Sequence, residues 1–275
     1  MEQQRLDVKR KIDDIRKMYA DKTGEGMYFS ALIMGLFGSG KTRMIGTGRK
    51  PILIDSFDPR GTITLHSVFP DEVRRGEIII RSFWDERHKR PTEYVKWEKQ
   101  WESDIKSGFI SEFGTYAIDS LTTFLDALAN RVGQREGRPE GKLAIQDYVP
   151  IYNTLKDIIK ISSAQDCDFF LTAHLVTEQD EVTGRVKAEI DTYKRLKSQI
   201  PILFTEKYVM TTKDSSKGTI YKLLTQPFRE FSASTQLGAG DKFSREEDPD
   251  IKKLLKKAGM SCNDKKVDWL SEKDD

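Results

Sequence analysis

The sequence predicts an α/β protein, a largely parallel sheet covered by helices on both faces. Three observations predict it. Short apolar runs alternate along the chain with stretches whose apolar residues recur every three or four positions. A glycine-spaced loop, Gly35 to Thr42, joins one apolar run to the start of a helix. Polar residues stand at the ends of several runs, at Asp55 to Asp58, Asp119 and His174. Open parallel sheets take their ligands at the C-terminal ends of their strands.

Taken in order, residues 2–19 read as a helix with Leu6, Ile12, Ile15, Met18 and Tyr19 on a charged background. So thin an apolar stripe suits packing against a neighbouring subunit better than a private core. "FSALIMG" is a buried strand, and Gly35-Leu36-Phe37-Gly38-Ser39-Gly40-Lys41-Thr42 after it fits G-x-x-x-x-G-K-[ST], with "KTRMIGTGRK" opening a helix. Glycines let such a loop turn its N–H groups inward around the β- and γ-phosphates, and the helix start adds partial positive charge. Lys41 would supply a point charge to the phosphates and Thr42 Oγ1 would hold Mg²⁺. Gly35 and Phe37 to Arg43 are the expected nucleotide-binding residues.

A strand at 52–55 runs into Asp55 and Asp58, and another follows at 77–81. The segment between "RSFW" and "KSGF" carries Trp84, Trp97 and Trp101 among charges. Trp97 and Trp101 are four apart and share a helix face, which either lies on the sheet or forms a partner surface. At 116–118 a strand ends in Asp119-Ser120, and "LTTFLDALANRV" continues with helical spacing. A lone Asp there is often a helix cap; with the loop upstream it is read as the second Mg²⁺-holding acid. A helix at 148–165 and a strand at 168–173, ending at His174, complete the alternation. One main domain is expected at 26–240, with a helix in 1–25 and a helical tail in 241–275.

The Asp-Ser after its strand, the polar end of the next strand in "TAH" (Thr172 to His174), and "TEKYVMTTKDSSKGTIYKLLTQPF" resemble the core of RecA-like P-loop ATPases. "IPILF" and "LLTQP" before "DPDIKKLLKKAG" resemble, more narrowly, the phage-encoded Sak-group annealing ATPases, counted among AAA-type phage nucleotide-binding proteins. The resemblance runs from about Phe29 to Gly259. It implies a RecA-like fold with an antiparallel extension, ATP hydrolysis with Mg²⁺, and catalytic roles for Lys41, Asp119 and His174, the last as a sensor of the γ-phosphate that leads into a DNA-binding loop. A hydrogen-bonded strand-end histidine is the plainer reading of His174. The glutamate that orients the attacking water in this class is replaced near "DSFDPR" by Asp55 or Asp58. Asp58 is favoured, with Asp55 as a supporting carboxylate closer to the strand. A cation completing a neighbour's site would be Lys222, then Lys217, unless Lys222 is a solvated edge-strand lysine.

Two polar segments resemble in position the DNA-holding loops of that class: one with Arg131, Arg135, Arg138 and Lys142, the other with Arg185, Lys187, Lys194, Arg195 and Lys197. Single strands need cations along the backbone and aromatics for stacking. Tyr193 is the stacking candidate, and five acids between Glu178 and Asp191 dilute the second segment, which could equally be an ordinary solvated excursion. The implied partners are single-stranded DNA, further copies of the chain in a ring or filament, and a single-strand-binding protein.

Composition narrows the classes. With 33% charged residues in a chain of 275 and no apolar run near ~18 residues, no membrane span is expected. The N-terminal segment has no apolar core of a secretory leader. Cys167 and Cys262 form no metal or redox spacing, which fits a reducing compartment, so the cytoplasm, that of a phage-infected bacterium, is expected. A net charge of +2 says nothing for or against nucleic acid. The expected function is a self-assembling, Mg²⁺-dependent ATPase that binds single-stranded DNA in phage recombination. The alternatives are a nucleotide-gated DNA-binding protein with negligible turnover, or a ring helicase or packaging motor, for which no additional domain is visible. Contacts to phosphates do not separate ATP from GTP.

Overall fold

Apolar strands of five or six residues cannot bury both faces alone, so they collect into one sheet with helices on either side. The computed structural model describes residues 2–20, 27–59, 63–84, 91–138, 143–179, 184–216 and 218–271. Among these, the strands β1 (Ser30–Gly35), β2 (Ile52–Ser56), β3 (Ile78–Ser82), β4 (Thr115–Asp119), β5 (Asp168–Gln179), β6 (Val186–Ile190), β7 (Glu206–Ser215), β8 (Gly218–Leu224) and β9 (Glu246–Glu247) form a sheet ordered β3-β2-β4-β5-β1-β7-β8-β9, with β6 on β5. From β3 to β7 every neighbouring pair is parallel; β8 and β9 run antiparallel. The expected α/β class, mostly parallel with an antiparallel extension, is the class found.

Side chains alternate along a strand, so each strand divides its residues between two cores. On one face Leu32, Leu53, Tyr116, Ile118, Phe169 and Leu171 meet helices α5 (Thr92–Ser107), α6 (Leu121–Arg135) and α7 (Tyr148–Ser163). On the other, Ala31, Ile33, Ile54, Ala117 and Phe170 meet α2 (Lys41–Ile45), α3 (Ile63–Val68) and α9 (Ile251–Ala258). The remaining helices are α1 (Glu2–Ala20), α4 (Pro70–Arg74), α8 (Lys194–Gln199) and α10 (Asp268–Ser271). In α6 the buried Leu121, Phe124, Leu125, Leu128 and Val132 follow the helical repeat that the sequence displays.

Two expectations change, and one open alternative is decided. The stretch read as a separate tail from residue 241 belongs to the core: α9 buries Ile251, Leu254, Leu255 and Ala258, Asp250 caps it by accepting from Lys253 N at 3.0 Å, and β9 extends the sheet. Apolar spacing made α9 visible as a helix, but its partners, Met44 and Ile45 of α2, are about two hundred residues away in sequence. The polar segment after His174 is no irregular loop. β5 continues past the sheet to pair antiparallel with β6, from Leu175 opposite Ile190 to Gln179 opposite Val186. The Trp stripe faces the core: Trp97 and Trp101 are buried with centroids 5.6 Å apart, while Trp84 stays partly exposed.

Helix α1 exposes Leu6, Val8, Ile12 and Ile15. Met18 and Tyr19 have no described side chains. Near the other end, Lys265 N donates to Lys50 O at 2.7 Å and Trp269 packs on Phe113 at 5.6 Å.

Candidate functional site

The loop after β1 needs two left-handed glycines, Gly38 at φ 75° and Gly40 at φ 90°. At Gly35 a Cβ would stand 2.4 Å from Ser39 Oγ and 2.9 Å from Met210 O, so the strand end admits no side chain. Beside the loop lies a cavity of about 610 Å³, walled by Phe37, Gly38, Gly40, Lys41, Thr42, Arg43, Asp58, Asp119, His174 and Tyr221 among others.

Strand parity explains which polar residues meet there. Asp119 on β4, and Thr172 and His174 on β5, alternate with the residues of the first core and therefore point to the face that carries α2. Thr42 Oγ1 donates to Asp119 Oδ2 at 2.7 Å, and Thr172 Oγ1 donates to Asp119 Oδ1. Burial first, and the Asp58 charge second, raise the Asp119 carboxyl above the usual range, against the two threonines and Lys41. Among the described residues no group of three or more acids, histidines or cysteines could hold a metal alone. One hydroxyl and one carboxylate, with phosphate oxygens and water completing the shell, is a donor set that fits Mg²⁺.

Lys41 is buried and donates to Gly35 O and Leu36 O, both at 3.0 Å, and lies 3.3 Å from His174 Nδ1. Because the ammonium has no acceptor role, Nδ1 accepts and the imidazole proton sits on Nε2. Burial, then the Lys41 charge, lowers the His174 pKa, so the ring is neutral at pH 7. Nε2 faces Asp58 Oδ2 at 4.0 Å. The other oxygen, Asp58 Oδ1, accepts from Ser120 Oγ at 2.8 Å and from Thr123 Oγ1 at 2.6 Å. Phe37, at the tip of the loop and 93% exposed, lies over the His174 ring at 6.3 Å.

Burial lowers the Lys41 pKa from its ordinary 10.5 to about 8, against the attraction of Asp119 and Asp58. A bound triphosphate favours the ammonium and lifts that pKa, so binding above it takes up a proton. Calorimetry with inorganic tripolyphosphate should find affinity level up to about pH 8, then falling by up to about tenfold per pH unit. The sign for folding is the opposite. Between about 8 and 10.5 the unfolded chain holds more protons than the folded one, so this group makes stability rise with pH in that window.

Asp55 corrects the expectation. It shares the parity of Leu53, projects to the opposite face and is fully buried. It accepts from Arg81 Nε at 2.6 Å and Nη2 at 2.9 Å, from Trp97 Nε1 at 2.8 Å and from Tyr116 OH at 2.8 Å. A carboxylate so satisfied, with the sheet between it and the cavity, cannot take a proton from water there.

Lys222 also lies outside the cavity wall: its ammonium is 3.1 Å from Asp248 Oδ1, while its strand neighbour Tyr221 faces the cavity. Of the DNA candidates, Arg135 pairs with Glu98 at 3.1 Å and Arg138 pairs with Asp147. Arg185 and Lys187 are exposed at the start of β6. Lys142 and Lys217 lie outside the described residues. Reading the sequence missed Thr172, Ser120, Thr123 and Tyr221. Thr172 and Ser120 left signals without a role, the one by its two-residue step from His174 and the other by standing next to Asp119.

The fold is α/β with the glycine loop at the C-terminal ends of its parallel strands, where open sheets of this kind take their ligands. No protein-family model and no curated protein matches the chain. Among solved structures it is similar to a KaiC-like protein of the hyperthermophilic archaeon Pyrococcus horikoshii OT3, at 14% identity and a TM-score of 0.41, over 77% of this chain and 83% of that one. At that identity and TM-score the likeness says nothing about activity. Among the described residues no helix is long and apolar enough to cross a membrane.

Proposed function

We propose that the chain is a Mg²⁺-dependent ATPase of the RecA-like class that assembles with itself on single-stranded DNA, in the manner of phage annealing proteins. The observation that carries hydrolysis is the convergence on one cavity of the glycine loop, Lys41, the Thr42–Asp119 pair and Asp58. Bound Mg²⁺ would neutralise charge on the phosphate oxygens and hold them in place. The loop N–H groups and Lys41, released from Gly35 O and Leu36 O, grip the phosphates. Asp58, with Oδ1 fixed by Ser120 and Thr123, turns Oδ2 to a water and accepts its proton. Neutral His174 donates through Nε2 and couples the loop to β5 and the hairpin beyond.

The β5–β6 hairpin carries the exposed cations Arg185 and Lys187 at the start of β6. Arg185 and Lys187 are the cations we assign to phosphates. Lys222 would complete the site of a neighbouring copy after leaving Asp248, and α1 presents the apolar stripe for assembly.

The test measures ATP hydrolysis with and without single-stranded DNA, alongside particle size. Asp119→Asn should keep nucleotide binding and lose turnover by about a hundredfold or more, and Asp58→Asn should slow it by a similar order, as for loss of a positioned base. Hydrolysis absent in the wild type, with nucleotide still driving assembly on DNA, would favour a nucleotide-gated binder instead. Neutralising Arg185 and Lys187 should lower the slope of log K against log salt by about 0.7 for each DNA phosphate that is no longer neutralised. An unchanged slope rejects the hairpin as the DNA surface.

A further inference from the structure

We propose that the outer edge of β3 is an interface on which the same strand of a second copy of the chain adds antiparallel, extending the sheet across a twofold axis at Ile80. The interface is independent of the nucleotide and DNA readings. β3 is the last strand on its side of the sheet, and among the described residues it pairs with β2 alone. Glu77 O accepts from Ile52 N at 2.8 Å and Phe83 N donates to Ser56 O at 2.8 Å, so the odd-numbered residues turn their backbone groups to β2. Those of Ile78, Ile80 and Ser82 therefore point outward. The antiparallel register that uses all three sets Ile78 opposite Ser82 of the second copy and Ile80 opposite itself.

The two ends of the sheet differ in how they meet solvent. At the far end β9 is two residues long and both are glutamates, the shortness and charge that keep an edge from pairing. β3 is Ile78-Ile79-Ile80-Arg81-Ser82, with no proline and no lysine. Its one charge, Arg81, is held by Asp55 and Asp104 of its own chain. Glu77, just before the strand, is paired with Lys50 and Arg75. An edge whose charges are already matched offers no like-charge repulsion to a copy of itself. Both faces also suit a second copy. On the face that carries α2, the half-buried Ile80 meets its counterpart across the axis. On the other, a groove of about 440 Å³ between β3 and α5 has Leu53, Ile79, Phe83 and Phe109 as its apolar lining, and Phe109 is 40% exposed. The register sets Ile79 beside the aliphatic stem of the second copy's Arg81 and turns the two grooves toward each other. A strand pair alone is marginal in water, so burial of this apolar surface is what stabilises the pairing.

Analytical ultracentrifugation of the full chain without nucleotide or DNA should find a particle of two chains. Ser82→Pro removes an outward N–H that β2 does not use, and should shift the particle to one chain with the circular dichroism of the wild type. Oxidation reads the register, in a Cys262→Ser background because Cys167 is buried and Cys262 is not. Ile80→Cys should give a covalent dimer, since a hydrogen-bonded antiparallel pair stands about 5.5 Å apart at Cα, within a disulfide's span. Ile78→Cys and Ser82→Cys chains should stay single when oxidised apart and join when mixed. A wild type that sediments as one chain at its highest soluble concentration overturns the interface. So does a dimer that survives Ser82→Pro while Ile80→Cys fails to cross-link, which would put the contact elsewhere, on α1 first. Loss of the dimer in Ser82→Pro with no cross-link in Ile80→Cys rejects the twofold pairing and makes β3 a seat for some other extended segment.

Discussion

Lys41→Ala is expected to lower triphosphate affinity by about a hundredfold or more, since hydrogen bonds to a charged group contribute about 1.5–3 kcal/mol each and the ammonium reaches more than one phosphate oxygen. Its melting temperature is expected to equal or exceed that of the wild type. The ammonium is buried beside two backbone carbonyls, and burial has already pulled its pKa down to about 8, which marks a side chain held in the fold at some cost. Paired thermal melts and calorimetric titrations check both halves. A variant that still binds ATP normally would reject the loop as the phosphate site, and one that fails to fold would show that Lys41 is a core group.

The second large effect is on the fold. Asp55→Ala is expected to cost about 3–5 kcal/mol, the usual consequence of breaking a buried ion pair by removing one partner. The substitution leaves the Trp97 indole and the Tyr116 hydroxyl without their acceptor and the half-buried Arg81 with Asp104 as its remaining carboxylate. Against a total stability of about 5–15 kcal/mol, that approaches unfolding. Asp58→Ala, at the cavity edge, should barely move the melting temperature. Urea titration of the two variants decides the matter, and equal midpoints would overturn the structural assignment of Asp55. Inactivity of an Asp55 variant therefore says nothing about a catalytic base.

The fold was legible because its signals are local. Apolar runs, glycine placement and three- to four-residue spacing each act within one turn of chain, and β1, β2, β3, β4 and the start of β5 lie within a residue or so of where those runs end. The site was legible in part for the same reason: Gly35 to Thr42 is a contiguous loop whose mechanism requires those residue types in that order. Reading further was harder where a strand had to be placed among partners. β5 looked finished at His174 because its continuation is polar, and a hairpin outside the main sheet needs no buried face.

Asp55 and Asp58 show most clearly where sequence stops. Both are acids at the end of one strand, and composition and spacing make them near equals. What separates them is strand parity combined with which face the loop helix occupies, and that face is chosen by the packing of α2 against β1, β5 and α3. By itself the sequence determined the strand–loop–helix unit that carries Lys41 and Thr42 and the alternating pattern that makes the sheet parallel. The tertiary structure alone decided that Asp55 joins Arg81, Trp97 and Tyr116 in the core, that Thr172 supports Asp119, and that Tyr221, far along the chain, closes the cavity. The physical reason is range: backbone preference and binary pattern act between neighbours in sequence, whereas a side chain's partners across a sheet depend on strand order and register that form only when the whole core is buried.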